Sequence, residues 1–253
     1  MTGPLTYLYA VVPAAAVAPH VAGVDGEPPR LVVEGGLAAI VGSVAAQRFD
    51  EDGLAAGLED LGRLEELARA HHGVVAALAD DGPVAPVRLA TVYRDDEGVR
   101  RLLRERAAEF TALLARLDAC REWGVKVWLT AAAQQPEPAT AANGRPGTAY
   151  LMRRKAERDA GARHREHAVA VADRLHAELA RIALADRVLA PQDAALSGRR
   201  EEMVLNATYL VRRVDEDAFS RAVAEGSTAA GDAIEIVPTG PWPPFSFATV
   251  ADR

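Results

Sequence analysis

An α+β fold of two domains, the second ferredoxin-like, is what the sequence predicts, and three observations predict it. Segments with two-residue apolar alternation recur between segments with apolar residues at i, i+3 and i+4, so strands and helices interleave along the chain. From residue 123 onward the order reads strand, long helix, strand, short helix, strand, with room for one more short strand between 187 and 203. That order suits helices laid on one face of an antiparallel sheet. A polar Pro/Gly segment at 131–147 breaks the chain near its middle and holds neither a ladder nor a helix throughout. Together these place an N-terminal α+β domain at 1–120 and a C-terminal ferredoxin-like domain at 121–253, with 131–147 as an exposed loop of the latter.

The elements follow in order. Residues 5–12 are apolar on both alternating faces, as a central strand would be, and Pro13 ends them. Residues 31–33 and 37–44 read as strands on either side of Gly35-Gly36. From Leu54 the spacing changes to Leu54, Leu58, Leu61, Leu64, Leu67 and Ala68, a helix face running through about His72. Residues 84–93 read as a strand. Asp95, Asp96 and Glu97 then sit where the positive end of a helix dipole favours carboxylates. The helix they open carries Val99, Leu102, Leu103, Phe110, Leu113, Leu114 and Leu117 as one stripe and ends near Cys120.

Residues 123–129 alternate Val125, Val127 and Leu129 against Lys126 and Trp128, the pattern of a strand. Beyond the loop a helix spans about 149–185, strongly charged in its first half, with Ala168, Val171, Ala172, Leu175, Leu179 and Ile182 on one stripe. Residues 204–214 form a strand with one wet face carrying Asn206, Thr208 and Arg212. Asp215-Glu216-Asp217 opens a short helix that bears Phe219 and Val223 and ends at Gly226. Residues 233–237 are the last strand.

Composition narrows the function. Of 253 residues, 49% are apolar and 26% charged, the balance of a soluble globular chain. No run approaches the ~20 apolar residues that span a bilayer. The chain has no Lys or Arg before Arg30, so the early Ala-rich stretch lacks the basic flank of a secretion signal, and a cytoplasmic location is expected. A single cysteine, Cys120, forms no disulfide within the chain and fits a reducing compartment. The net charge of −7 opposes non-specific binding to nucleic acid and leaves only local basic patches.

Motifs for chemistry are sparse. His71 and His72 are adjacent, and His164 and His167 lie one turn apart, but the latter are flanked by Arg163 and Arg165, which repel a cation, and the spacing is not that of a zinc protease. Cys120 has no neighbouring base to make it a nucleophile and reads as a small packing residue. Gly35-Gly36 lacks the third glycine of a dinucleotide fingerprint, and no Gly-Lys-Ser/Thr occurs. Asn206-Ala207-Thr208 matches a glycosylation acceptor inside a strand of a chain not expected to be exported. No catalytic residue, cofactor or metal is therefore expected.

Two segments are candidates for partner contact. Arg153-Arg154-Lys155 follows Tyr150-Leu151-Met152; such a run is usually a solvated helix face, and the sharper reading is a docking surface for an acidic partner. Residues 238–247 combine aromatics with several prolines, which suits either an extended peptide for a Pro-recognising domain or a strand extension packed across its own domain. In the second reading Trp242 and Phe245 anchor the segment on the C-terminal domain. Arg153, Arg154, Lys155, Trp242 and Phe245 are thus the residues singled out.

Five blocks carry a resemblance: Tyr7-Leu8-Tyr9, the PVRLATVY of 86–93, the YLMRR of 150–154, the ATYLV of 207–211 and the GPWPPFSF of 240–247. In this order, and across essentially the whole chain, they resemble the GvpL/GvpF family of gas vesicle accessory proteins, the final block being the most specific. Ala85 stands where a Leu is usual, and Leu89-Ala90 replaces the more typical Phe-Gly; both changes alter volume and not polarity. The resemblance implies a non-enzymatic protein of gas vesicle assembly built of two α+β domains. It implies as partner the small hydrophobic shell protein, GvpA, with other accessory proteins as further candidates. Physically this is coherent, because a shell protein with a gas-facing apolar surface is aggregation-prone until a soluble partner covers it. Fold analogy alone offers an alternative, a small-molecule-sensing regulatory protein with ferredoxin-like domains, which needs a polar pocket. An enzyme built on Cys120 or the histidines ranks last, since no base and nucleophile can be paired.

Overall fold

The computed structural model describes residues 3–49, 53, 60–130, 146–192, 198–199, 201–231 and 234–248. The chain divides into two compact units, Met1–Glu122 together with Trp242–Arg253, and Trp123–Pro241. The expected division had assigned everything after residue 120 to the second domain. The structure instead returns the final segment to the first unit.

In the first unit the strand β1 (Leu5–Pro13) is central, and residues 6–12 are all buried, as apolar side chains on both faces require. A hairpin of β2 (Arg30–Glu34) and β3 (Leu37–Val44) lies on one side of it. Gly35 makes the turn at φ +58, a conformation that costs glycine nothing. The short helix α1 (Ala46–Phe49) adds the buried ring of Phe49. Next comes α2 (Leu61–Ala79), whose first turn is capped by Asp60, a carboxylate accepting the N–H groups of Gly62 and Arg63 at 3.0 and 3.2 Å. This helix starts later and runs further than the 54–72 expected; Leu54 and Leu58 lie outside the described residues.

The strand expected at 84–93 is two short ones, β4 (Ala85–Pro86) and β5 (Val92–Tyr93), both paired antiparallel with β1. Ala90 lies between them at φ +63, outside the extended region a ladder needs. The sheet order is β2-β3-β1-β4, with β5 also on β1. The helix after Asp95 is likewise divided, into α3 (Asp96–Glu105) and α4 (Ala107–Leu117), because Arg106 leaves the helical region at φ −117 and ψ 22. The apolar stripe survives the break: Val99, Leu103, Phe110, Leu114 and Leu117 are all buried. Ala119 then turns the chain at φ +51, so Cys120 opens the next strand and does not close the helix.

That strand is β6 (Cys120–Leu129), followed by α5 (Pro146–Ile182), β7 (Ala185–Val188), β8 (Met203–Arg212), α6 (Glu216–Ala230) and β9 (Ile234–Trp242). Strand order β7-β8-β6-β9 makes this a β-α-β-β-α-β unit with the split arrangement of ferredoxin-like folds. Of the expected loop, 131–145 lies outside the described residues, and Pro146 and Gly147 already belong to α5. Proline is well placed in a first helical turn, where its missing N–H removes no bond. The core joins Val125 and Val127 of β6 to Ala172, Leu175 and Leu179 of α5, Tyr209 and Val211 of β8, and Phe219 and Val223 of α6.

Several local expectations shift here. Ala185 starts β7 and does not end the helix. Gly226 does not stop α6: a Cβ there would lie 2.8 Å from Cδ1 of Leu175, so the glycine serves close helix packing, and Gly231 at φ +62 makes the stop. Trp128, on the strand face that also carries Lys126, is buried, with the Arg199 guanidinium 5.0 Å from its ring centroid. Asn206, expected on a wet face, is buried and donates from Nδ2 to the Ala190 carbonyl at 2.7 Å, so the nitrogen a glycan would use is enclosed. The last strand runs to Trp242, beyond the expected 237. Among the described residues no helix is long and apolar enough to cross a membrane.

Candidate functional site

The final block of the sequence closes over the first unit, and a pair of histidines makes its platform. On α2 the buried stripe is His71, Val74, Val75 and Leu78, spaced i, i+3, i+4 and i+7. His71 meets the two tyrosines that β1 turns to the same face. Its Nδ1 lies 2.9 Å from the Tyr7 hydroxyl, and its ring stands 5.7 and 5.6 Å from those of Tyr7 and Tyr9. The Tyr7 oxygen also accepts from the Ala90 N–H at 3.1 Å, and the imidazole tautomer sets the direction of its bond to His71. Tyr9 accepts from the Val24 N–H at 2.7 Å, and its ring is admitted only because Gly23 and Gly42 lack side chains: a Cβ on either would lie 2.5 or 3.0 Å from the hydroxyl oxygen.

Burial governs the electrostatics. Desolvation pushes the His71 imidazole down to about 4, against a smaller upward pull from the Val87 backbone, while neighbouring His72 adds to the depression. The same cause drives Tyr7 well above its ordinary range and Tyr9 up to about 12. The network is neutral, and its hydrogen bonds tie β1, α2 and the β4–β5 connection together.

The segment after β9 lies on this platform. Phe245 stacks on His72 with ring centroids 5.8 Å apart and also meets His71 at 6.0 Å, while Trp242 stands edge-on to His72 at 5.4 Å. Pro243, Pro244 and Phe247 are buried. Glu122 at the start of β6, itself only 6% exposed, accepts from the Ser246 N–H at 2.8 Å and from the Ser246 hydroxyl at 2.6 Å. Two hydrogen bonds to a buried carboxyl make a clasp, since removing the serine would take both donors from a group enclosed away from water. Trp242 stays 45% exposed. The segment is therefore anchored, but on the first unit and chiefly by Phe245, Ser246 and Phe247, where the sequence reading had expected Trp242 and Phe245 to anchor it on the C-terminal domain.

The sequence singled out two groups, and the structure sets them in different units. Trp242 and Phe245 come together on His72. Arg153, Arg154 and Lys155 lie on the exposed first half of α5, the guanidinium carbons of Arg153 and Arg154 being 5.6 and 5.9 Å from the Tyr150 ring centroid. His71 and Glu122 were not singled out as site residues. The signal for His71 was present, since it falls in the apolar spacing of α2, but period two sets Glu122 with Lys126 on the face opposite the core-facing Trp123, Val125 and Val127, and gave no sign of its burial.

Chemistry beyond contact finds little footing. In the second unit the Tyr209 hydroxyl lies 2.8 Å from Nδ1 of His176, whose Nε2 is 3.5 Å from Asp186, a line of groups of the kind that activates a nucleophile. Tyr209 is fully buried, and desolvation raises its pKa further, so it holds its proton. Among the described residues no cluster of three or more His, Cys, Asp or Glu could hold a metal ion. A polar groove by the β1 and α3 starts is lined by Arg30, Arg94, Arg100, Asp95, Asp96 and Glu97. Its charges serve one another: Arg30 binds Asp96 through two hydrogen bonds of 2.7 and 2.8 Å, which holds the Asp96 carboxyl below the usual carboxylate range.

Comparison with known proteins adds the family context. The sequence profile described as gas vesicle synthesis protein GvpL/GvpF matches residues 5–249. Gas vesicle protein L of a Streptomyces species is 46% identical, with all of this chain and 96% of that one aligned. Gas vesicle protein L2 of Halobacterium salinarum is 27% identical over 96% of this chain and 90% of its own. Two crystal structures share the fold. GvpF from Anabaena sp. PCC7120 superposes with a TM-score of 0.71 at 18% identity, covering 98% of each chain. GvpF from Microcystis aeruginosa gives 0.66 at 19% identity, over 97% of this chain and 99% of that one.

Proposed function

The chain belongs to the GvpL/GvpF family of gas vesicle synthesis proteins, and from that membership we propose that it is a non-catalytic assembly factor that binds the hydrophobic shell protein, GvpA, and supports vesicle nucleation or formation. On this reading it works in the cytoplasm at the growing vesicle. The observation that carries the proposal is the extent of the match, which runs from β1 to the clasped final segment and leaves neither unit outside it.

Trp242 is the contact the geometry favours. A half-exposed indole held on a buried anchor presents apolar surface at little conformational cost, the usual character of an interface hot spot. Its ring stands edge-on to His72, which Phe245 also contacts. Such a contact is apolar and should survive salt, since screening at ~0.15 M ionic strength weakens exposed charge pairs far more than buried apolar area.

Deleting the gene in a vesicle-forming host is expected to abolish buoyancy and visible vesicles, and the purified chain is expected to retain the shell protein in a pull-down. Normal vesicles in the deletion strain, with no other family member present, would overturn the assembly role. Trp242→Ala should lose the pull-down while costing at most about 1 to 2 kcal/mol of stability, because its ring is only half buried. Retained binding by that variant would place the contact elsewhere.

A further inference from the structure

β2 lies at the edge of the first unit's sheet, with β3 as its one neighbour in the order β2-β3-β1-β4. The two strands pair without a shift in register, from Arg30 opposite Val41 to Glu34 opposite Leu37. In a hairpin with a two-residue turn the closing pair, here Glu34 and Leu37, exchanges both backbone bonds, and alternation gives the next such positions to Val32 and Arg30. The N–H and C=O groups of Leu31 and Val33 therefore point away from β3, to the open side. Among the described residues no loop or turn backbone bonds them there.

An open row of donors and acceptors is a template for a further strand, and proteins usually blunt it with charges or prolines. The edges of the second unit's sheet carry such devices: β7 has Asp186 and Arg187 at its centre, and β9 has Pro238 and Pro241. At β2 the centre is apolar, Leu31-Val32-Val33, with charges only at the two ends, and Val33 is 48% exposed. The sequence of this strand is also complementary to itself. Laid antiparallel to a second RLVVE with Val32 on the two-fold axis, Leu31 meets the partner's Val33 in a hydrogen-bonded pair, and Arg30 falls opposite the partner's Glu34. The exposed Val33 is then covered by the partner's Leu31.

Neighbouring charges extend the match. Arg30 donates to Asp96 at 2.7 and 2.8 Å, and Glu34 accepts from Arg104 at 3.1 Å, so α3 runs beside β2 with its acidic start by Arg30 and a basic residue near its end by Glu34. The same two-fold sets Asp96, Arg30, the partner's Glu34 and the partner's Arg104 in a row of alternating sign, and repeats that row on the other side of the axis. We infer that β2 is an interface between two copies of this chain, joined edge to edge about a two-fold axis into one continuous sheet. The other registers that pair the outward groups, centred on Leu31 or on Val33, lose both ion pairs, so charge fixes the register. β7 offers no such solution: centred on its outward groups it sets Asp186 against Asp186, and one step on Arg187 against Arg187. The inference stands whether or not Trp242 contacts the shell protein.

The test is sedimentation of the full chain from about 1 to 200 μM, a range that brackets the micromolar association expected of a contact at the small end of specific interfaces. A monomer–dimer equilibrium is expected. Val33→Pro leaves the β2–β3 ladder its bonds, because the N–H it removes points outward, and by symmetry takes one bond from each half of the interface. Self-association of that variant should weaken by about tenfold or more. Arg30→Glu and Glu34→Arg should each weaken it by about threefold or more, since each sets like charges opposite one another twice. An equimolar mixture of those two variants should associate more tightly than either alone, because every facing pair regains opposite charges. Circular dichroism and melting compare the variants as folded proteins. A monomer at every concentration, a dimer untouched by Val33→Pro, or a mixture no more associated than its separate components would each overturn the inference.

Discussion

Phe247→Ala is expected to destabilise the protein by about 3 to 5 kcal/mol, the range for emptying a fully enclosed phenylalanine site. Phe247 is 2% exposed and follows the buried Pro243 and Pro244. Its own N–H bonds the Pro244 carbonyl at 3.1 Å, and the preceding residue is held by Glu122, so the backbone has little freedom to collapse into the void. Chemical denaturation with an unchanged m-value would read the loss as stability alone. A cost below about 1 kcal/mol would mean that the final segment merely lies on the surface, since surface changes rarely exceed ~0.5 kcal/mol. Such a result would remove the basis for treating Trp242 as a residue held on a rigid anchor.

Acid is expected to weaken the fold through His71 before the carboxylates contribute. The imidazole sits at about 4 when folded, against 6.5 as its ordinary value. Between those values the unfolded chain binds the extra proton, so the contribution is complete above pH 6.5 and is lost progressively as pH falls toward 4. A separation of this size corresponds to about 3 kcal/mol across that window. His71→Gln removes the titration and keeps an oxygen that can accept from Tyr7. The native chain should therefore lose roughly 3 kcal/mol more than this variant between pH 7 and pH 4. Asp96, Glu97 and Glu235, whose carboxyls arginines hold below the usual range, are common to both proteins and cancel in the comparison. Equal pH dependence in the two would show that His71 is not the group that resists charge.

Much of the architecture was legible because period and order are local properties. The continuous apolar run of 5–12, the switch to helical spacing and the strand-helix order after 123 each report a pattern that a few neighbouring residues suffice to reveal. Errors gathered at boundaries, where the deciding contact comes from elsewhere in the chain. Gly226 reads as a helix stop until Leu175 is seen against it, and Ala90 reads as strand until its positive φ is known. The candidate site was legible only in part. Aromatic and Pro content marked out Trp242 and Phe245, but the platform that receives them is a histidine pair more than a hundred and sixty residues earlier.

The sequence by itself determined the α+β class, the order of the second unit's elements, the family resemblance and the basic character of the helix that follows residue 146. Each is written in composition, spacing or a short block and needs no partner to be read. Only the tertiary structure decided that the final segment returns to the first unit, that His71 is buried and neutral, and that Glu122 clasps Ser246. It also decided that, among the described side chains of α5, full burial begins at Ala168. The reason is physical: a side chain's environment depends on what folds against it, and the desolvation that holds the histidine neutral is a property of that enclosure and not of the residue.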